Sequence, residues 1–248
     1  MISTSVSNLA LYELWSKDED LDVGWLLTKL LVREETPAMS AGTAFHSAME
    51  TVEAEKEYGV LSANGYRFNM LCDVDIELPY MQEVSIEKQY GDLLVRGRVD
   101  AWSGGKVSDF KTTEQFDPDR FLDRITWRLY LDMTDAIQFD WHIFLVKEVG
   151  YQGEKTYDVY GYHKLTEYRY PGMHEDCLRV AEGYREFAER YPELRDRKPH
   201  EDGAGRTGQT QTFENKSAAG TAPTKSTGVA YVNDKPAEPD DGLFGESA

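Results

Sequence analysis

The stretch LLVRGRVDAWSGGKVSDFKTT, residues 93–113, carries two aspartates and a lysine at a spacing that suits phosphate chemistry. Two strand-like runs flank Gly104-Gly105, and that dipeptide favours a two-residue hairpin turn because both positions accept positive φ. Counting outward from the turn sets Ser103 opposite Lys106, Trp102 opposite Val107, Ala101 opposite Ser108 and Asp100 opposite Asp109. The two carboxylates would then face each other with Cβ atoms about 4.5–5.5 Å apart. Lys111 would share the face of Asp109, while Val99 and Phe110 would pair on the other face and enter the core. Like charges opposite one another destabilise a sheet, and burial raises a carboxylate pKa, so the pair calls for a neutralising cation. A hard divalent ion such as Mg²⁺ suits carboxylate oxygens. Such an ion polarises a phosphate and acidifies a bound water, and a nearby lysine can orient that water. The chemistry is phosphodiester hydrolysis. On residue types alone, the same pattern also fits a solvated hairpin face.

Hydrophobic spacing predicts the elements around this hairpin. Val6–Trp15 and Asp22–Leu31 hold apolar positions at helical spacing. Pro37 breaks the chain, and Ser40 can cap a helix through AGTAFHSAMETVEAEKEY. Strands are expected around Val84–Tyr90, Leu93–Trp102, Lys106–Thr112, Gln138–Lys147 and Tyr157–Lys164. Asp117-Pro118 opens a helix whose Phe121, Ile125 and Leu129 share one face. Met173–Tyr191 is a further helix, with Cys177, Ala181, Tyr184, Ala188 and Tyr191 on one stripe. From Glu201 onward the chain is rich in Gly, Ser, Thr, Ala and Pro with no sustained period, and reads as a solvated tail.

The string GRVDAW…GGKVSDFKTT resembles the core of the PD-(D/E)XK nuclease superfamily, whose members carry Asp and then (Asp/Glu)-x-Lys on adjacent strands. More narrowly it resembles the RecB-type branch, which includes phage exonucleases and carries a Gly-x-x-x-His helix upstream. Gly42-Thr43-Ala44-Phe45-His46 stands in that order here. The branch's downstream Gln-x-x-x-Tyr helix is half present, with Thr126 four residues before Tyr130. The resemblance spans about residues 5–165 and lies in the combined order of the motifs. It implies a restriction-endonuclease-like α/β core, a central mixed sheet flanked by helices, over residues 1–199. That region would begin with a helical part over about 1–60, and a disordered acidic tail would follow over 200–248.

By the same resemblance, Asp100, Asp109, the Phe110 carbonyl and His46 would ligate Mg²⁺ or Mn²⁺. Lys111 would position the attacking water or stabilise the transition state. Glu87, in SIEKQY, would support a second ion or the lysine, and Tyr130 would contact the DNA backbone or orient the site. Glu50, four residues after His46, shares its helical face and can accept from the imidazole; an ordinary surface Glu fits as well. The activity implied is a metal-dependent DNA exonuclease of phage or bacterial recombination and repair. An endonuclease with the same site, or an inert interaction protein of the same fold, is the alternative.

Composition bounds these readings. The formal charge is −18, and the segment from Glu201 holds eight acidic and four basic residues, so −14 stays with residues 1–200. That field repels phosphates, and DNA would have to be engaged at a local cationic or metal-bearing site near Arg96, Arg98 and Lys111. Hydrophobic residues at 40% exclude global disorder. Only two cysteines, Cys72 and Cys177, are present, too few for the iron–sulfur cluster that some branch members hold. No GxxxxGK[ST] motor motif occurs, no apolar run spans a bilayer, and a reducing cytoplasm is the expected compartment. Leu243-Phe244 within the acidic tail could dock on a recombination or replication partner, although a plain solubilising tail has the same composition.

Overall fold

Ser5 and Asp22 each accept a backbone N–H three residues on, and each starts a helix. In the computed structural model, which describes residues 2–32, 35–50, 59–74, 76, 81–151, 153–195 and 210–212, these helices are α1 (Val6–Lys17) and α2 (Val23–Leu31), preceded by β1 (Ile2–Ser5). The N-terminal stretch therefore opens with a strand and not with a helix. Next comes α3 (Pro37–Glu50). Pro37 begins this helix, where its missing N–H costs nothing, instead of breaking the chain before it. The cap is Thr36, whose hydroxyl accepts from the Met39 N–H at 3.2 Å, and Ser40 sits inside the first turn.

After α3 come β2 (Val60–Ala63), β3 (Tyr66–Met70), β4 (Met81–Tyr90), β5 (Leu93–Ser103) and β6 (Lys106–Thr113). The helix expected from Asp117 divides into α4 (Asp119–Leu122) and α5 (Ile125–Thr134). The divide is fixed by Glu13 of α1, whose buried carboxylate accepts the Ile125 N–H at 2.7 Å and so caps α5. The remaining elements are β7 (Gln138–Glu148), β8 (Thr156–Tyr168), α6 (Met173–Arg190), α7 (Pro192–Arg195) and β9 (Thr210–Thr212). β9 lies parallel to β4 at Ser85–Glu87, within the region read as a structureless tail. Leu243 and Phe244 lie outside the described residues.

The sheet is mixed, in the order β2-β3-β8-β7-β6-β5-β4-β9, with β1 alongside β5. One face carries the larger core, built from α1, α2, α4, α5 and α6 through Leu9, Leu26, Phe121, Leu129 and Ala181. The other carries α3, with Phe45 and Ala48 packed on Phe68, Phe110 and Phe144. Val99 and Phe110 are both buried but belong to these two different cores, so the expected pairing on one face does not occur. Among the described residues, no helix is long and apolar enough to cross a membrane.

The hairpin turn sets the register expected of it for three pairs, Ser103↔Lys106, Trp102↔Val107 and Ala101↔Ser108. The β5–β6 ladder ends there, because β6 continues along β7 from Lys106↔Gln138 to Thr113↔Leu145. The far half of the same β5 edge is taken by β1, at Leu93–Arg96. Between the two, residues 97–100 of β5 open a gap in the sheet. That gap is where the polar side chains collect.

Candidate metal centre

Three elements meet at the gap. β5 brings Asp100, β4 brings Glu83, and α3 brings His46. On α3, Gly42 and His46 share a face one turn apart. A Cβ at Gly42 would meet Thr112 Oγ1 of β6 at 3.4 Å, so helix and strand already touch there, and the next turn delivers the imidazole to the gap. His46 Nδ1 lies 3.4 Å from Asp100 Oδ1. Asp100 Oδ2 accepts the Phe110 N–H at 2.7 Å, so the carboxylate stands in for the ladder carbonyl that the splayed strands cannot supply.

Glu83 completes the group. One ligand atom from each of His46, Glu83 and Asp100 lies within 4.8 Å of the others. The ladder between β4 and β5 passes from Gln82↔Ala101 to Val84↔Val99 and skips Glu83 and Asp100. In both strands the alternation shifts phase at this step: Met81 and Val84 both face the larger core, as do Val99 and Trp102. Glu83 sits in the left-handed region at φ 53°. A non-glycine residue there costs about 1–2 kcal/mol, which the fold spends to turn the Glu83 and Asp100 side chains out of regular alternation. Arg98 pairs with Glu83, and the Glu50 carboxyl lies close enough to Glu83 to act on its charge.

Asp109 and Lys111 lie on the other side of the gap. Their β7 partners are Trp141 and Ile143, which face the larger core, and Lys111 Nζ lies 5.8 Å from the centre of the Trp141 ring. Lys111 pairs with Asp109 and donates to the Phe110 carbonyl at 3.3 Å. Asp100 and Asp109 are thus not ladder partners; they interact across the gap, with Lys111 and His46 between them electrostatically. Asp109 stands outside the three-residue ligand group, and the Phe110 carbonyl, expected as a ligand, holds the lysine.

The remaining expected residues separate clearly. Glu87 is paired across the ladder with Arg96, its carboxylate 3.3 Å from that guanidinium, and it does not reach the cluster. Tyr130 on α5 is buried, and its hydroxyl donates to the Arg98 carbonyl at 2.9 Å, in the unpaired stretch of β5 two residues before Asp100. It orients the strand that carries Asp100. Residue types did not single out Glu83, but the tight Gly91-Asp92 turn does: with Tyr90↔Leu93 as the first pair, the count outward reaches Glu83 opposite Asp100.

The electrostatics of the group describe a site crowded with negative charge. Burial works against ionisation of Asp100, but His46, Lys111 and the Phe110 N–H outweigh it and hold its carboxyl at about 2. Burial pushes Asp109 up to about 6, with Asp100 adding to the shift and Lys111 opposing it. Glu83 is pushed up to about 7 by burial and by the Asp100 charge, against the pull of Arg98. Burial disfavours the His46 imidazolium, yet Asp100 raises its pKa overall. Carboxylates this reluctant to ionise together are relieved by a cation. Two carboxylates and one imidazole nitrogen make a donor set that could hold a divalent cation.

No protein-family model matches the sequence, and no curated protein is similar to it. A solved structure described as "Crystal structure of SSO0001" aligns over 75% of this chain and 77% of its own, at 13% identity and a TM-score of 0.42. Similarity of that degree carries no functional argument.

Proposed function

We propose that the chain is a divalent-metal-dependent deoxyribonuclease that hydrolyses phosphodiester bonds, acting as an exonuclease in phage or bacterial recombination and repair. The observation that carries this reading is the convergence of His46, Glu83 and Asp100 beside the Asp109–Lys111 pair, in a gap of the sheet. The order of these residues along the chain, with the resemblance to the PD-(D/E)XK nucleases, supplies the substrate class. The sheet order and the helices on both faces are compatible with a restriction-endonuclease-like core.

His46, Glu83 and Asp100 would hold Mg²⁺ or Mn²⁺, which when bound polarises a phosphate and lowers the pKa of a coordinated water. Asp109 and the Phe110 carbonyl fix the Lys111 ammonium at the edge of the group. There it can donate to an attacking water or to a phosphoryl oxygen as negative charge develops. The Phe110 N–H and His46 aim the two oxygens of Asp100. Tyr130 and Arg98 hold the β5 backbone and Glu83 in place behind them.

The test uses end-labelled linear and closed circular DNA with Mg²⁺, Mn²⁺ or EDTA, beside Asp109→Ala and Lys111→Ala. Cleavage of linear but not circular DNA, dependent on the metal and lost in both variants, is expected. Cleavage of the circle would make the enzyme an endonuclease. No cleavage under any metal condition would leave an interaction protein and end the enzyme reading.

A further inference from the structure

β4, which carries Glu83, would be the outermost strand at its end of the sheet if β9 were absent. An outer strand presents a row of free backbone N–H and C=O groups along one edge, and that row invites a further strand. Here the edge is taken by β9, parallel to β4 in the register Ser85↔Thr210, Ile86↔Gln211 and Glu87↔Thr212. Among the described residues, no other strand covers this side of β4.

The place of this short ladder along β4 sets what it can do. After it, the strand is fixed to α5. Lys88 Nζ donates to the Asp132 carbonyl at 2.7 Å and lies 3.0 Å from the Asp132 carboxylate, and the Tyr90 hydroxyl donates to that carboxylate at 2.7 Å. Asp132 is buried, so this end of β4 has a firm anchor. Before the ladder, the strand is irregular: Glu83 stands at φ 53° and the β4–β5 pairing skips it. A residue in the left-handed region persists only where its surroundings over-determine it. Arg98 supplies one constraint through its pair with Glu83. β9 supplies another, because its ladder begins at Ser85, two residues after Glu83, and closes the open edge between the kink and the anchor.

β9 follows α7 by way of residues 196–209, which lie outside the described residues. A connection of that length costs little entropy to close and keeps the segment at high effective concentration beside its edge. A ladder of three residues at the rim of a sheet is also among the first elements to open in local unfolding. The segment is therefore both readily bound and readily released. We propose that the outer edge of β4 is a strand-docking surface whose occupant is this chain's own segment 210–212. Docked, the segment works as a strap that holds Glu83 in its turned-out position and so keeps the metal centre assembled. The consequence for metal binding rests on the metal-centre reading; the docking and the hold on Glu83 do not.

The experiment is amide hydrogen exchange of the full chain without metal, beside a Mn²⁺ titration followed by the electron paramagnetic resonance of the free ion. Consecutive amides of a strand point to opposite edges, so proline at two adjacent positions of β9 deletes at least one N–H from the ladder. Gln211→Pro/Thr212→Pro is compared with the wild type and with Ala218→Pro/Ala219→Pro, which alters the chain beyond β9. In the β9 variant, Glu83 and the amides of residues 85–87 that face β9 should exchange about tenfold faster, and Mn²⁺ should bind about tenfold more weakly. The second pair of prolines should do neither. Unchanged exchange at residues 85–87 would overturn the docking. Faster exchange there, with Glu83 exchange and Mn²⁺ affinity both at the wild-type level, would overturn the strap. A wild type that binds no Mn²⁺ would sink the metal-centre reading alone, because the exchange of Glu83 still decides the strap.

Discussion

Replacing Gly97 with alanine tests how the strand that carries Asp100 is held. A Cβ at this position would lie 2.8 Å from Cε1 of Tyr130 and 2.9 Å from Cγ2 of Val6. Both are well inside the optimal carbon–carbon separation of about 3.5–4.0 Å. Val6 and Tyr130 are buried in the larger core, so neither side chain can swing into solvent. Forcing a methyl group into such a contact costs about 1–3 kcal/mol. Gly97 does not have positive φ, so alanine also recovers about 0.4–1 kcal/mol by restricting the unfolded chain. The net expectation is a loss of about 1–2 kcal/mol, read by urea denaturation as a lower midpoint at unchanged slope. In a Tyr130→Leu background the ring is gone, and the cost of Gly97→Ala should fall by about half, with the Val6 contact still in place. A neutral or stabilising Gly97→Ala, or the same cost in both backgrounds, would refute the claim that Tyr130 presses on β5 and orients the Arg98 carbonyl.

Two further outcomes follow from buried charge. Burial holds His142 down at about 4, against an ordinary value of 6.5. The unfolded chain therefore takes up the proton first: the contribution is fully present above about pH 6.5 and is lost as the pH falls toward 4, by about 3 kcal/mol in all. Stability measured across that window should lose this component in His142→Gln; an unchanged profile would contradict it. Lys111→Ala removes the cation paired with the buried Asp109 and should cost about 1–3 kcal/mol, most of it recovered in Lys111→Ala/Asp109→Asn. Additive losses in the double variant would show that the pair is not coupled.

The Gly104-Gly105 turn made the first three pairs of the β5–β6 hairpin legible, because a two-residue turn leaves little freedom of register. The fourth pair, Asp100 with Asp109, did not form. Its absence is a tertiary effect: β7 draws β6 away and β1 occupies the other half of the β5 edge, neither of which hairpin counting can see. His46 was legible only through the family resemblance, because a lone histidine on a helix carries no signal of its own; α3 then sets it one turn from Gly42 on the same face. Glu87 was an implication of the resemblance and Glu83 lay just before the expected strand Val84–Tyr90; the shift in alternation at Glu83 and Asp100 is a backbone event with no residue-type signature. The split between α4 and α5 was hidden for a similar reason, because the carboxylate that caps α5 comes from Glu13, far away in the chain.

The most direct measurement of the central claim is the Mn²⁺-dependent rate of linear DNA cleavage by the wild type, Glu83→Gln and Glu87→Gln. Glu83 lies within ligand distance of His46 and Asp100, while Glu87 belongs to Arg96. Glu83→Gln should therefore lose on the order of a hundredfold in rate, and Glu87→Gln should cleave as the wild type does. Wild-type cleavage by Glu83→Gln with loss in Glu87→Gln would place the ion elsewhere on β4. Absence of cleavage by the wild type with any divalent metal would contradict the account as a whole.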